Sequence, residues 1–393
     1  MRVLCVSSLW PPRTLGGAEL YASRLAVELE RAGHEVGLVS FAADASAQSD
    51  MTMVASVREW PYKLEDFARQ PPWSRAAFRV VDLYNPFAGH SVASAIERFR
   101  PDVVHSHSVI GLSTAALTAA SRSRTAHVHH LHDYWLLCRR TTLTRRSGDL
   151  CEHRCRTCSA ISGARSLLLD RHPPDIVLAP SKSVAQMHAS LHWASGRIRL
   201  LAHPVPARSG PRTRPVPVAG EPVVFGYLGQ LTAAKGVRTL LEAFSDLGGR
   251  GHRLILGGRG PLLGEVELAG TSVTALGWLD PDAKSEFFEQ IDCLVVPSQW
   301  PEIGPLVALE ALAQGVPVVG ARIGAVPENI DPSSEPLLFS PGNIADLRSA
   351  LWRFVTDPVR YVPSGGGRAG WPEHVSDLVG YYEEAIALRG ARR

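Results

Sequence analysis

The feature that most constrains the fold is a repeated alternation of short, uniformly apolar segments with amphipathic stretches. An apolar run without polar alternation is typical of a strand that is buried on both faces. The stretches between the runs have the apolar spacing of surface helices. The strand pattern fits residues 3–7, 36–41, 102–105, 126–130, 175–178, 223–228, 253–256, 272–276, 293–296 and 316–319. We therefore predict an α/β protein whose parallel sheets are covered by helices on both sides.

A change in composition between residues 204 and 222 divides this pattern in two. The segment reads PVPARSGPRTRPVPVAGEP, which leaves too little apolar surface for a packed element. We expect an N-terminal doubly wound domain over residues 1–205, a second over residues 206–370, and a last helix over residues 371–393 that returns to the first domain. Two facing domains of this kind would form a cleft at the carboxyl ends of their strands, where such sheets bind ligands.

A glycine pair, Gly16 and Gly17, separates the first predicted strand from the first predicted helix. Without side chains, these residues would let the backbone approach the phosphates or another part of a bound ligand closely. Most isolated glycine pairs are simply turns, so the pair by itself is weak evidence. Gly33 stands where a helix-terminating glycine is expected, so the first forty residues read as a strand, a glycine loop, a helix and a second strand.

Two glutamates eight residues apart, Glu302 and Glu310, follow the apolar run that ends at Val296. A helix beginning near Gly304 would direct unpaired backbone N–H groups and the positive end of its dipole at the cleft, which suits a phosphate. Glu302 would lie in the loop and Glu310 two turns into the helix, in contact with different parts of one elongated ligand. An isolated pair of this kind is more often a solvated helix residue and a partner of the helix dipole.

The stretch around both glutamates, PSQWPEIGPLVALEALAQGVPVVGARIGAVPE, resembles the E-x7-E region of family 4 glycosyltransferases. Six further parts agree with that family in order and spacing: PPRTLGGAELYASRLAVELERAGHEV, PDVVHSHSVIGLS, HHLHDYWLLC, VLAPSKSV, YLGQLTAAKGVRTLLEAF, and LILGGRGP with LGWLD. The resemblance covers almost the whole chain outside residues 42–100 and the linker. It implies the GT-B fold of two facing Rossmann-like domains and a retaining transfer of a sugar from a nucleoside diphosphate sugar to an acceptor hydroxyl.

The resemblance also implies a role for each matching residue. Glu310 would bind the ribose hydroxyls of the donor, since a carboxylate can accept two hydrogen bonds from a diol. Glu302 and the segment Gly304-Pro305-Leu306 would bind the donor sugar and the distal phosphate. Lys235 would stabilise the negative charge that develops on the leaving diphosphate. The family's mechanism implies no metal cofactor for catalysis.

Two further positions follow from the same resemblance. His132, in HDYW, matches the histidine that the family places beside the reacting sugar, so the predicted catalytic set is His132, Glu302 and Lys235. Gln230 stands where the family usually has an arginine, so the donor diphosphate would be held by one cation fewer. Arg259 is a candidate replacement. The lost cation leaves a catalytically weak binding subunit as one alternative, and a nucleotide-sugar 2-epimerase of the same fold is another.

Four of the six cysteines cluster in one short segment, with the spacing C-x12-C-x3-C-x2-C. Four thiolates can close a tetrahedral zinc site, and the final C-x2-C is a common zinc spacing. We predict a structural zinc in an insertion of the first domain, with His153 as an alternative ligand and unligated thiols or a disulfide as the competing readings. The ligands would be Cys138, Cys151, Cys155 and Cys158.

Composition narrows the partners and the location. The formal net charge of +3 gives no chain-wide reason to expect nucleic acid. The apolar start lacks a cleavage site and no run is long enough for a transmembrane helix, so we expect a cytoplasmic protein. Between Arg139 and Arg171, eight arginines stand against three acidic residues. This excess could attract an acidic or lipid-linked acceptor, or the inner face of an anionic membrane.

Overall fold

The computed structural model describes residues 1–14, 16–41, 52–145, 148–205, 212, 214–363 and 369–391. The contacts divide the chain into two compact units. Unit 1 comprises residues 1–141, 154–202 and 371–393, and unit 2 comprises residues 142–153 and 203–370. Residues 142–153 of the cysteine-containing insertion thus group with unit 2, whereas the sequence placed the whole insertion in the first domain. Of the predicted linker, residues 206–211 and 213 lie outside the described residues.

The described part of unit 1 contains a seven-stranded parallel sheet in the order β3-β2-β1-β4-β5-β6-β7. Its strands are β1 (Arg2–Val6), β2 (Glu35–Phe41), β3 (Thr52–Val57), β4 (Val103–Ser106), β5 (Ala126–His130), β6 (Ile176–Ala179) and β7 (Ile198–Leu200). Its first helices are α1 (Gly17–Arg31), α2 (Pro72–Leu83), α3 (Pro86–Phe99), α4 (Ser113–Arg122), α5 (Arg156–Asp170) and α6 (Lys182–His188). The last helix of the chain, Trp371–Ala391, also belongs to this unit.

The core of unit 1 joins both ends of the chain. β1 lies between β2 and β4, with Val3 opposite both Val36 and Val103, and its residues from Val3 onward are buried. The last helix packs Leu378 and Tyr382 into the same apolar cluster as β1. Fully burying an apolar side chain contributes about 1.5–3 kcal/mol, so this helix is part of the folded core of unit 1.

A buried ion pair stabilises the middle of unit 1. The Arg165 guanidinium lies 2.7 Å from Asp82 Oδ2, and the exposed fractions of the two side chains are 3% and 10%. Asp82 also accepts hydrogen bonds from Gly111 N at 2.7 Å and from the Trp135 indole at 2.9 and 3.0 Å. Arg165 stacks on the Trp135 ring, 3.8 Å from its centroid. One carboxylate thereby connects α2, the loop after β4, the loop after β5 and α5.

The described part of unit 2 contains a six-stranded parallel sheet in the order β10-β9-β8-β11-β12-β13. Its strands are β8 (Val224–Leu228), β9 (Arg253–Gly257), β10 (Val273–Gly277), β11 (Cys293–Val296), β12 (Val318–Ala321) and β13 (Leu338–Phe339). Its helices are α7 (Val237–Gly248), α8 (Leu263–Glu267), α9 (Pro281–Gln290), α10 (Leu306–Ala313) and α11 (Ile344–Thr356), so the helix Trp371–Ala391 is α12. Both sheets are parallel and flanked by helices, which confirms the predicted fold class.

The differences from the predicted elements have local causes. β3 carries only one fully buried residue, Val57, and therefore lacks the apolar run by which the other strands are recognised. β7 and β13 have three and two residues, too few for a pattern. β12 begins at Val318 instead of Val316, because Pro317 has no N–H group to donate to a neighbouring strand. Within the described residues, no helix has the length and apolarity needed to cross a membrane.

Candidate active site

The predicted donor residues of unit 2 follow two neighbouring strands, β8 and β11. Successive strands are added on one side of β8 as far as β10 and then on its other side from β11 onward. The loops that leave β8 and β11, residues 229–236 and 297–305, therefore flank the point at which strand order reverses. Ligands of doubly wound sheets bind at this position.

A close backbone contact joins these two loops. Gly236 has a φ of +74°, and a Cβ atom there would lie 1.8 Å from the carbonyl oxygen of Pro297. Only glycine tolerates both the dihedral angle and the contact. Beside it, Gln299 N donates to Ala234 O at 2.9 Å. Lys235 lies between these two contacts, in the turn before α7 and not within the helix, and is thereby held beside the loop that carries Glu302.

The side chain of Glu302 is buried and receives three donors on one oxygen. Oε1 accepts from Lys235 Nζ at 2.7 Å, from the Trp300 indole at 2.9 Å, and from the Ser298 hydroxyl. Lys235 Nζ also lies 4.6 Å from the centroid of the Trp300 ring. Burial, followed by the Glu302 charge, raises the pKa of Tyr227 well above its usual range. The structure thus brings together two of the three predicted catalytic residues.

The backbone of Glu302 is also fixed. Gly324 has a φ of +56°, and a Cβ atom there would lie 2.4 Å from Glu302 N and 2.6 Å from Glu302 O. Ala325 N donates to Glu302 O at 2.8 Å. The loop after β12 therefore packs directly against the peptide groups of Glu302, which limits the positions open to its carboxylate.

Glu310 lies in the second turn of α10 and pairs with a second lysine. Its Oε1 accepts from Lys284 Nζ at 2.5 Å, while Oε2 is buried and has no hydrogen-bond partner in the described part of the chain. The helix begins at Leu306, after Pro305 as N-cap, and not near Gly304 as the sequence predicted, because Pro305 keeps a non-helical ψ of 84°. Gly304 instead allows a close approach, since a Cβ atom there would lie 2.4 Å from His203 Nδ1.

Gln230 is exposed and lies beside the loop that carries Arg259. The backbone N–H of Leu231 donates to Arg259 O at 2.9 Å, and Tyr227 Oη donates to Gln230 O at 2.7 Å. The exposed Arg259 guanidinium lies 6.0 Å from the centroid of the Trp278 ring. The candidate replacement cation therefore belongs to the loop adjacent to Gln230, and its role stays a prediction.

In unit 1, Gly16 is the N-cap of α1 and Gly17 is its first residue. The Gly16 N–H donates to the Glu19 carboxylate at 2.9 Å. Its φ of −170° is extended backbone that any residue adopts, and a Cβ atom there would meet no protein atom within 4 Å. The protein itself therefore does not require glycine at this position. A role in close approach to a ligand stays a prediction for both residues.

His132 follows the end of β5, in contact with other aromatic rings of unit 1. Its Nε2 lies 3.0 Å from His107 Nδ1, and its ring centroid lies 4.4 Å from that of His130 and 5.2 Å from that of Tyr21. Next to it, burial raises the pKa of Asp133 to about 6, although Trp135 N donates to this carboxylate at 2.6 Å. The third predicted catalytic residue thus belongs to unit 1, whereas Lys235 and Glu302 belong to unit 2.

A group of buried histidines beside His132 has no predicted role. His105, His107 and His130 are buried, and one ring nitrogen from each lies within 4.8 Å of the others. Burial lowers the pKa of His107 to about 3 and that of His105 well below its usual value. Two H-x-H patterns at the ends of adjacent parallel strands are the signal that could have identified the group, because such ends meet at one sheet edge.

The four clustered cysteines do not form one compact group. The Sγ atoms of Cys138 and Cys158 lie 3.9 Å apart. Cys155 is the exposed N-cap of α5, and hydrogen bonds from Cys158 lower the pKa of its thiol. Cys151 belongs to the segment that groups with unit 2. Among the described residues, no three of these sulfur atoms all lie within 4.8 Å of one another, so zinc binding by the four cysteines stays a prediction.

Comparison with known families agrees with both units. The family model described as glycosyltransferase family 4 matches residues 15–208, and the model described as glycosyl transferases group 1 matches residues 222–357. Among curated proteins, a 2-deoxystreptamine N-acetyl-D-glucosaminyltransferase of Streptomyces fradiae is 29% identical over 311 residues, which are 72% of this chain and 68% of that protein.

Solved structures with the same fold include two with high coverage. The sucrose-phosphate synthase of Thermosynechococcus elongatus has a TM-score of 0.73 at 18% identity, covering 98% of this chain and 99% of the other. Anabaena Alr3699/HepE in complex with UDP-glucose has a TM-score of 0.70 at 17% identity, covering 98% and 100%. These likenesses show the GT-B fold. The two family models, which match residues 15–208 and 222–357, establish that the chain belongs to the family 4 glycosyltransferases and is a glycosyltransferase.

Proposed function

We propose that this glycosyltransferase takes a sugar from a nucleoside diphosphate sugar and transfers it to an acceptor hydroxyl with retention of anomeric configuration. The Lys235–Glu302 pair carries the proposal, because it lies between the loops that leave β8 and β11, where doubly wound sheets bind nucleotides. The structural relative solved with UDP-glucose supports the donor class. The comparisons give no support to an epimerase.

In the proposed complex, Lys235 contacts the diphosphate of the donor. Its ammonium group stabilises the charge that accumulates as the bond to the sugar breaks, which lowers the barrier and not merely the dissociation constant. Glu302 then accepts hydrogen bonds from sugar hydroxyls. The N–H groups of Leu306 and Val307 precede the first bonds of α10, which Ala308 and Leu309 donate to Pro305 O, and they provide donors for the distal phosphate.

Glu310 is proposed to bind the ribose of the donor. Its Oε2 is buried and has no hydrogen-bond partner within the described residues, whereas Oε1 is held by Lys284. A buried carboxylate oxygen without a donor is costly, and a ribose hydroxyl would supply that donor. Lys284 would keep the carboxylate oriented in the absence of the nucleotide.

The proposed reaction exchanges two bonds at the anomeric carbon on one face of the sugar. The bond from this carbon to the diphosphate oxygen breaks, and a bond to the acceptor oxygen forms. The acceptor proton passes to the leaving phosphate oxygen, so no protein base is needed. His132 would lie beside the reacting sugar and position it. Since Lys235 supplies positive charge at the leaving group, the transfer as proposed requires no metal ion.

The experiment begins with a thermal-shift screen of nucleoside diphosphate sugars on the full chain, because a ligand of the folded state raises the melting temperature. The donor that binds is then incubated without acceptor, and its hydrolysis is followed by proton NMR, which shows the anomer first released. We expect release with retention, abolished in Glu302→Gln. The control Glu265→Gln removes a carboxylate that is likewise paired with a cation, the Arg238 guanidinium at 2.7 Å, and it should retain full activity.

Three results would contradict the proposal. If no sugar nucleotide shifts the melting temperature, the donor class is wrong. If the inverted anomer appears first, the donor class stands but the retaining mechanism fails. Formation of a changed sugar nucleotide in the absence of acceptor would instead indicate an epimerase.

We also propose that the acceptor is presented at an anionic membrane surface, to which unit 1 binds peripherally. Apolar side chains protrude from α2 and α3: Trp73, Val80, Tyr84 and Phe87 are exposed by 76%, 71%, 48% and 73%. Arg75 and Arg79 belong to the same helix, α2. Burial and then the charges of Arg139, Arg75 and Arg140 lower the pKa of Arg79, so positive charge is concentrated around it. Exposed aromatic groups next to clustered arginines suit the headgroup region of an anionic bilayer.

Sedimentation of the full chain with vesicles tests this surface. We expect binding to vesicles containing phosphatidylglycerol but not to pure phosphatidylcholine, weakened in Trp73→Ser/Phe87→Ser. Trp278→Ser is the matched control, since Trp278 of unit 2 is 59% exposed. Equal binding by the two variants, or none by the wild type, would refute membrane attachment and leave the donor chemistry untouched.

A further inference from the structure

Three buried histidines of unit 1 lie together at the carboxyl ends of β4 and β5. His105 and His130 are fully buried and His107 is 1% exposed. The ring centroids of His105 and His107 lie 4.1 Å apart, and a ring nitrogen from each of the three residues lies within 4.8 Å of the others. The proposed sugar transfer uses none of these three histidines.

His105 and His107 each form a hydrogen bond through one ring nitrogen, while the other ring nitrogen has no hydrogen-bond partner among the described residues. His105 Nδ1 bonds the Tyr382 hydroxyl at 2.7 Å, and His107 Nδ1 bonds His132 Nε2 at 3.0 Å. The Nε2 atoms of His105 and His107 are buried and have no hydrogen-bond partner among the described residues. Buried polar atoms in native proteins are almost always satisfied, so two such atoms side by side call for a ligand.

The pattern matches that of metal-binding imidazoles. A histidine that binds a metal through one nitrogen almost always has the other nitrogen hydrogen-bonded, which fixes the ring and its tautomer. Imidazole ligands suit zinc and its neighbours among the divalent transition metals. We propose that His105, His107 and His130 bind one divalent transition-metal ion, zinc being the best match, in unit 1.

Small movements of the side chains would give the zinc geometry, and a bound hydroxide would offset part of the buried charge. Zinc–nitrogen bonds of about 2.1 Å in a tetrahedron place two ligand nitrogens about 3.4 Å apart. The three ring nitrogens lie within 4.8 Å of one another, so each pair must close by at most about 1.4 Å. Three histidines leave a fourth position for water. Zinc lowers the pKa of bound water to about 7, and the hydroxide that forms would halve the buried positive charge.

Metal binding would determine where His132 carries its proton. With the metal on Nε2 of His107, the proton of that ring lies on Nδ1. Nδ1 then donates to His132 Nε2, so neutral His132 carries its own proton on Nδ1. The ion would thus act as a positioning element beside the residue proposed to face the sugar. This consequence rests on the proposed function, whereas metal binding itself does not.

The test uses the full chain, stripped with a chelator and titrated with Co²⁺ as a spectroscopic substitute for zinc. We expect one equivalent that gives the visible bands of tetrahedral cobalt without the near-ultraviolet band of thiolate ligands. Zn²⁺ should displace it and raise the melting temperature. The missing thiolate band separates this site from any metal bound by the clustered cysteines.

Variants identify the ligands. His107→Gln should lose the cobalt bands. His129→Gln is the matched control, since His129 lies on β5, is 4% exposed and is not a member of the group. Tyr382→Phe keeps the ring but removes the hydroxyl that bonds His105, and it should weaken cobalt binding about 10- to 100-fold.

Far-ultraviolet circular dichroism shows whether each variant is folded. If His107→Gln does not fold, the Tyr382→Phe affinity decides the question. The proposal is wrong if the wild type gives no tetrahedral cobalt signal, if only a thiolate band appears, or if neither a folded His107→Gln nor Tyr382→Phe binds cobalt more weakly than His129→Gln.

Discussion

The two units share one sheet architecture but place different chemistry at the ends of their strands. In unit 2, the loops after β8 and β11 bring together an ammonium and a carboxylate, Lys235 and Glu302, 2.7 Å apart. In unit 1, the ends of β4 and β5 bring together imidazoles whose pKa values burial has lowered. The buried ion pair of unit 1, Arg165–Asp82, lies instead beneath the strand-end loops and stabilises their scaffold.

The two units thus use charged side chains differently, for ligand contact in unit 2 and for stability in unit 1. A partly exposed cation at a strand end can meet the phosphates of a ligand, since it retains donors that the protein does not use. A buried cation such as Arg165, whose two terminal nitrogens donate to Trp135 O and Asp82 within the core, stabilises the fold and is not accessible to a ligand. We therefore expect charge to act mainly on chemistry in unit 2 and mainly on stability in unit 1.

The largest expected effect comes from breaking the buried pair of unit 1. Arg165→Met keeps much of the apolar stem but leaves Asp82 buried without its cation, which should cost about 3–5 kcal/mol of unfolding free energy. The half-exposed pair Arg199–Glu384 is the control within the same unit, and Arg199→Met should cost about 0.2–1 kcal/mol. Urea unfolding measures both. Equal losses of unfolding free energy in Arg165→Met and Arg199→Met would mean that the buried Asp82 carboxylate does not need the charge of Arg165.

Removing the cation of unit 2 should change catalysis more than stability. Lys235→Ala should lower kcat by about 10²- to 10³-fold, as expected when one group that stabilises developing negative charge is lost. The melting temperature should fall less than in Arg165→Met, because Lys235 is 25% exposed and water can replace its donor to Glu302, whereas Arg165 is only 3% exposed. A Lys235→Ala protein with normal kcat and a raised KM would show that Lys235 serves only in binding.

Acid should destabilise unit 1 more than unit 2. Burial lowers the pKa values of His188 and His374 to about 4, from an ordinary value of 6.5. The unfolded chain binds these protons from about pH 6.5 downward while the folded chain does not, so this contribution to stability is complete above pH 6.5 and is lost toward pH 4. At pH 5, each histidine should cost about 2 kcal/mol.

Amide hydrogen exchange at pH 7.5 and at pH 5, corrected for the pH dependence of the intrinsic exchange rates, measures the loss of stability in each unit separately. Peptides from β5 and β6 of unit 1 should lose protection at pH 5, while those from β8 and β11 of unit 2 should change less. His188→Gln should reduce the pH dependence. Equal losses in both units would contradict the difference between them.

The smallest effect is expected for the second lysine of unit 2. Lys284→Met removes the partner of Glu310 from a pair whose side chains are 32% and 25% exposed. Such pairs contribute about 0.2–1 kcal/mol, so the donor KM should change less than about 5-fold with kcat unchanged. Michaelis–Menten kinetics on the same donor test this. A large loss of kcat would place Lys284 in the catalytic machinery beside Lys235.

Much of the fold could be predicted from apolar periodicity. β5 and β11 have the predicted bounds, 126–130 and 293–296, because every residue in them is buried. β3 could not be predicted, since its residues are mostly half-exposed and give no uniform apolar run. The start of α10 was placed too early, because the dihedral angles of Pro305 outweighed the glycine signal at residue 304.

For the candidate site, the sequence indicated individual residues but not their contacts. The family resemblance indicated Lys235, Glu302, Glu310 and His132, but the pairing of each glutamate with its own lysine was not apparent from spacing alone. No role was predicted for His105, His107 or His130, because two H-x-H patterns far apart in sequence do not indicate a shared site until the strand order makes them neighbours. The cysteines were predicted as one zinc cluster, whereas the contacts of their segment divide it between the units.

The sequence by itself determined the α/β class, the two-part organisation and the family, because these depend on local periodicity and on motifs read in order along the chain. Tertiary structure alone decided which charges meet and which imidazoles are buried together. Lys235 and Glu302 are 67 positions apart in the sequence, and they become partners only because β8 and β11 lie side by side. Local sequence sets the strands, but the order of strands in a sheet is set by how the whole chain packs.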